Sequence, residues 1–148
     1  MKPALSTVVI ALVAAALLPG PGVAVAADRR PQLARAAVEE LIDRVDIVFE
    51  RVQLTPEQTA QLVQAVQKVR ESMRVWDLNA FGGAIERFAE DVGTLVVTRA
   101  LSPAQGQGIV DGVASVLQYL ADIGFVPQSF ASSAIGSVKT GYDSKINR

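Results

Sequence analysis

The side chains that do most acid–base and metal chemistry are missing from this chain, which has neither His nor Cys. That removes the usual general base, the thiol nucleophile and the soft metal ligands. Carboxylates remain. Asp43, Asp46 and Glu50 fall close together, as do Glu86, Glu90 and Asp91. Either trio could attract a hard cation, but Arg44, Arg51 and Arg87 are interleaved with them. Calcium normally takes six or more oxygens from a dense loop, so both trios read as solvated helix faces. Glu39 and Glu40 are adjacent, so on a helix they point about 100° apart and form no dyad. Ser and Thr are plentiful, but no base is present to complete a conventional triad. No catalytic residue, metal site or cofactor is expected.

Three residues could touch a ligand or partner. Arg70 and Arg74 are i,i+4 and could clamp an anion; a solvated helix end helped by the helix dipole is the plainer reading. Trp76 is the only Trp and closes a helical stretch. A lid on the core suits so large an aromatic better than an exposed ligand platform.

The elements that must position these residues announce themselves twice. Leu54-Thr55-Pro56-Glu57-Gln58 opens one apolar run, and Leu101-Ser102-Pro103-Ala104-Gln105 opens another 47 positions later. Thr55 and Ser102 suit the N-cap, where a hydroxyl accepts from a free backbone N–H. Pro56 and Pro103 fall at the first helical position, which needs no donor. Gln58 and Gln105 fall three residues after the cap and can reach back to it, closing a capping box.

Four helical stretches are predicted. From Pro31 to Val52, Leu33, Ala37, Leu41, Val45, Val48 and Val52 keep the 3.6-residue period, with Asp43, Asp46 and Glu50 on another face. From Pro56 to about Val75 the stripe is Leu62, Val66, Val69, Met73 and Trp76. Asp77-Leu78-Asn79 is the break, and Asp77 or Asn79 can cap the third helix. Phe81, Ile85, Phe88, Val92 and Leu95 mark that helix, ending near Arg99. Ile109, Val113, Val116 and Leu120 mark the fourth, from Pro103 to about Ile123. Gly112 in that helix suggests close approach of a neighbour, and Gly106 a frayed first turn. Beyond Gly124 the large apolar residues lose their period, and a flexible or strap-like tail is expected over 124–148.

Over Leu54–Met73 against Leu101–Leu120 six of 20 positions are identical. The same offset lays Val38 on Ile85, Leu41 on Phe88, Val45 on Val92 and Val48 on Leu95. The repeating unit is a helical hairpin. Two-helix solenoids need about three units, so two hairpins are expected to close into a four-helix bundle over 28–123.

Residues 1–27 read as a signal peptide. Lys2 is followed by the apolar run Val8 to Leu18, then Pro19-Gly20-Pro21-Gly22 and the small residues Ala24 to Ala27. The run is short of the ~20 residues a membrane span needs. The mature chain, 121 residues from Asp28, suits one domain. Without Lys2 the 14 basic residues fall to 13 against 15 acidic, a net −2. That balance argues against a nucleic-acid partner.

Leu41 to Leu120 resembles the FIMAH-type helical module of secreted bacterial proteins. The matching elements are Leu54–Gln58, Asn79, Ala84 with Phe88, and Leu101–Gln105; Leu78 stands where that family prefers glycine. The resemblance implies two helical hairpins, an appendage role beside extracellular hydrolases or adhesion-type proteins, and no catalytic residues. The twin starts also resemble the LTxxQ motifs of Spy/CpxP-type periplasmic stress chaperones: Leu54–Gln58 fits fully, and Leu101–Gln105 fits with Ser for Thr. Those proteins are more charged and richer in Met than this chain.

The sequence therefore describes an all-α, exported, non-enzymatic binding or structural module, secreted or held in the periplasm or envelope. Its partner would be a protein or envelope component, with no stable membrane insertion after signal removal. A Spy-like holdase is the alternative. The mature N-terminus is expected at Ala27 or Asp28; N-terminal sequencing of the exported protein checks it, and a chain still starting at Met1 would contradict the signal reading.

Overall fold

In a computed structural model, residues 29–147 are described. The expected signal peptide lies outside the described residues. Five helices follow one another: α1 (Arg30–Glu50), α2 (Pro56–Val75), α3 (Leu78–Val97), α4 (Pro103–Asp122) and α5 (Gln128–Ile146). The described residues include no strand.

The two Pro-bearing motifs start α2 and α4 with matching bonds. Gln58 N–H donates to Thr55 Oγ1 at 3.1 Å, and Thr55 N–H donates to Gln58 Oε1 at 2.9 Å. Gln105 N–H donates to Ser102 Oγ at 3.1 Å, and Ser102 N–H to Gln105 Oε1 at 2.9 Å. Each cap satisfies orphan donors of the first turn and contributes about 1 kcal/mol. Three helices end in the left-handed conformation, at Trp76 (φ 52°), Arg99 (φ 67°) and Gly124 (φ 75°). In each case the next N–H reaches back to close the helix: Asp77 to the Ser72 carbonyl at 3.2 Å, Ala100 to Leu95 at 2.9 Å, Phe125 to Leu120 at 2.9 Å. Asp77, the residue after Trp76, then caps α3, its carboxylate accepting from Ala80 N–H at 3.1 Å. Asn79 is therefore not the cap; it lies exposed in the first turn of α3.

The apolar stripes meet in one core. Val38 and Val45 of α1, Val69 of α2, Phe81 and Val92 of α3, and Val110 and Leu117 of α4 are all buried. α2 packs on α3, while α1 leans on α4. Gly112 makes room for that lean: a Cβ there would stand 3.1 Å from Leu41 Cδ1.

The fifth helix departs from the expectation of four. Residues 128–146, expected as a flexible or strap-like tail, form α5, which lies along α3 and α4. Its buried face is Ala131, Ala134, Val138, Gly141 and Tyr142, a helical stripe built mostly of small residues. Small residues let helix backbones approach, and glycines on the facing helices complete the fit. A Cβ on Gly93 would meet Lys145 Cβ at 2.8 Å and the Tyr142 carbonyl oxygen at 3.0 Å. A Cβ on Gly106 would meet Val96 Cγ2 at 2.4 Å and Tyr142 Oη at 2.6 Å. Gly106 is thus a packed, buried position and not a frayed turn.

Glycines on the two sides of this contact should respond oppositely. Gly136 of α5 has open space where a Cβ would go, so Gly136→Ala should stabilise by about 0.5–1 kcal/mol through helix propensity. Gly93→Ala must push α5 outward and should lose about 1–3 kcal/mol. Urea denaturation of the two variants against wild type measures both signs.

Candidate binding groove

Where α1 diverges from α2, an open groove of about 480 Å³ remains. Its apolar lining comes from Phe49 and Val52 at the end of α1, Leu54 in the connection, and Leu62, Val63 and Val66 of α2. Val63 is 55% exposed, although it sits among apolar neighbours. Asp46, Glu50, Gln67 and Arg70 supply the polar part of the lining.

The acids follow from helix geometry. Glu39, Asp43, Asp46 and Glu50 step by four, three and four, so they share one face of α1. Arg70 spans the gap to the first of them: its Nε and Nη2 donate to Glu39 Oε2 at 3.0 Å and Oε1 at 2.9 Å. This bidentate pair is half-exposed, so it contributes about 0.2–1 kcal/mol and chiefly fixes the spacing of α1 and α2. The bonding to Glu39 raises the Arg70 pKa further above its ordinary value. Although Asp46 is exposed overall, partial desolvation raises its carboxyl above the ordinary value; Arg70 opposes the shift, and Asp43, Glu50 and Glu39 add to it. The lip of the groove is thus short of positive charge.

The structure places the other sequence-chosen residues away from this groove. Arg74 donates to Glu71 through Nε at 3.1 Å and Nη2 at 2.5 Å. Arg70 and Arg74 are thus each paired with a separate carboxylate of the chain. Trp76 is not a free platform either. Its ring meets Phe125 in a T-shaped contact with centroids 4.3 Å apart, and the Arg35 guanidinium lies 5.3 Å from its centroid. With the Arg30 Nη1 bond to the Gly124 carbonyl at 3.1 Å, this contact clasps the start of α1 to the α4–α5 connection. Thr55, Gln58, Ser102 and Gln105 act as caps; Gln58 Nε2 also donates to Thr98 Oγ1 at 3.4 Å, tying α2 to the end of α3.

Two further polar groups escaped sequence reasoning. Tyr119 Oη is buried with no hydrogen-bond partner among the described residues, beside a shallow 180 Å³ cleft between α1 and α4. Burial raises its pKa above the ordinary tyrosine value. Ser72 is buried too, but its hydroxyl donates to the Val69 carbonyl at 2.8 Å, which accounts for it structurally. Among the described residues no three of His, Cys, Asp and Glu gather as metal ligands would. No described helix is long and apolar enough to cross a membrane. The groove itself had one sequence signal, Val63, an apolar residue beside the α2 stripe; the divergence of α1 that exposes it had none.

Comparison with protein-family models, curated proteins and solved structures finds no match for this chain.

The raised Asp46 pKa sets a pH dependence. The folded protein holds that proton more tightly than the unfolded chain, so the contribution of Asp46 is most favourable below its unfolded pKa and is lost as pH rises through the folded one. At neutral pH its charge opposes folding. Asp46→Asn should be at least as stable as wild type at pH 7, and its advantage should vanish near pH 3, below the ordinary Asp pKa of about 3.9. Urea titrations at the two pH values test the sign.

Proposed function

We propose that this protein is an exported, non-catalytic helical binding module whose binding site is the α1–α2 groove. The observation that carries this reading is the groove: an open apolar trough with Val63 exposed inside it. Apolar side chains left standing around a concavity are what a binding site presents before its occupant arrives. Export rests on the Lys2, Val8–Leu18 and Ala24–Ala27 pattern. The lack of His and Cys in the whole chain supports a non-catalytic role. The matching caps and the 47-residue offset support a duplicated hairpin of the FIMAH type, here extended by α5. The partner is a protein or envelope component, not nucleic acid, and the mature chain does not stay in the membrane.

Nile red, an uncharged apolar dye, probes the groove without presupposing its ligand. It should brighten with wild type, and Val63→Lys should remove most of that response while circular dichroism stays unchanged. Equal fluorescence from the two proteins would remove the groove from consideration.

One observation favours the holdase alternative: Val63, Val75 and Val97 are all more than half exposed, as a surface for unfolded clients would require. Aggregation of a denatured client at stoichiometric ratio separates the readings. Clear suppression that survives Val63→Lys would assign the protein to the holdases.

A further inference from the structure

The chain carries a filled counterpart of its own open groove. The 47-residue offset lays Asp46 on Gly93, Phe49 on Val96, Thr59 on Gly106, Val63 on Val110 and Arg70 on Leu117. The first residue of each pair lines the α1–α2 groove. The second belongs to the α3–α4 side on which α5 lies. Tyr142 and Lys145 press on Gly93, and Tyr142 and Val96 press on Gly106. Val110 and Leu117 fall on the same face of α4 as Gly106, one and three turns on, and each is only 1% exposed. Position for position, then, Val110 is buried and Val63 is 55% exposed.

We propose that the α1–α2 groove is the seat for an amphipathic helix of a partner protein, one carrying Lys or Arg beside its apolar face. This inference rests on the groove being the binding site. The shape of the occupant comes from α5, which shows that an α-helix fits the equivalent seat. The groove is open along one side, unlike a small-molecule pocket, which encloses most of its ligand. A helix lying in it would cover Val63, Val66 and Phe49 with side chains at i, i+3, i+4 and i+7.

The charge of the occupant comes from what replaces the α5 contacts. In the α5 seat a lysine, Lys145, stands with its Cβ against Gly93. At the equivalent point of the groove stands Asp46, with Glu50 one turn on and Asp43 one turn before. Arg70, the cation in the lining, is already paired with Glu39 through Nε and Nη2. A basic side chain placed as Lys145 is placed would meet Asp46 and relieve the repulsion among the acids. An acidic helix would add to that repulsion, and the mismatch is large enough to govern partner choice.

The test uses two fluorescein-labelled peptides of about four helical turns, one of Leu and Lys in amphipathic order and one with Glu for each Lys. Anisotropy at physiological salt should show the Leu/Lys peptide binding about tenfold tighter or better, a gap of ~1.4 kcal/mol. Val63→Lys should weaken it by about tenfold, whereas Gln64→Lys, the same charge change at an exposed position outside the groove lining, should change it less than about twofold. Asp46→Asn should weaken the Leu/Lys peptide and leave the Leu/Glu peptide as it was. Circular dichroism and urea midpoints establish that each variant folds. Equal affinity for the two peptides, or equal effects of the two Lys substitutions, would overturn the proposal. So would self-association in the ultracentrifuge that Val63→Lys abolishes, since the occupant would then be a second copy. If neither peptide binds while Nile red still responds to Val63→Lys, the basic helix is wrong and the groove stands as a binding site; if the dye response is also lost, both fall.

Discussion

Tyr142 lies with its hydroxyl over Gly106 and its carbonyl against Gly93, at distances that leave space for hydrogen and nothing larger at either position. That contact decides how the helices divide the core. It brings α5 to backbone distance from α3, which is why the rest of the α5 face can be Ala131, Ala134 and Gly141. The ring of Tyr142, 2% exposed, supplies the bulk the small residues lack. On α4, Gly106 accepts α5 and Gly112 accepts α1, and six residues of helix turn the two glycines about 120° apart, onto different faces. α4 is therefore gripped from two sides, and α1, drawn toward α4, leaves α2 with one face uncovered.

Features that depend on a few consecutive residues were legible in the sequence. A hydroxyl, a proline and a glutamine in fixed order specify a capping box, whatever packs nearby. The stripes of large apolar residues were legible for the same local reason, through the helical period. α5 was not, because its buried stripe is mostly Ala and Gly, with Val138 and Tyr142 the only larger members, set among Ser, Thr and Lys that hide the period. The misreading of Gly106 has the same origin, since what crowds it is Tyr142 of the unrecognised helix. The cap of α3 was ambiguous between Asp77 and Asn79 because it depends on where α2 stops, and the left-handed turn at Trp76 sets that stop.

The site was harder to read than the fold, because its geometry is made between helices. Arg70 and Arg74 stand one turn apart, and the sequence shows no more than that of what either pairs with. The structure pairs Arg70 with Glu39, 31 positions earlier in the chain. Trp76 packs against the core and also meets Arg35 and Phe125, contacts between distant parts of the chain that its position in sequence does not reveal. The stripe of acids on α1 was visible in sequence. That it borders an apolar trough follows only from the lean of α1 toward α4.

The same offset that relates the two hairpins also shows why α5 takes one seat and not the other. In the α3–α4 seat α5 meets Gly93 and Gly106, which have no side chain, and Leu117 lies buried on the same face of α4 as Gly106. In the α1–α2 groove the equivalents are Asp46, Thr59 and Arg70. Asp46 and Thr59 carry side chains where the α5 seat has glycines, so the close backbone approach that α5 makes to Gly93 and Gly106 has no counterpart there. α5 is thus matched to the seat that carries glycines, and the α1–α2 groove stays open. The chain keeps one seat for itself by making it small and apolar. The other seat is lined by larger side chains, Asp46 and Glu50 among them.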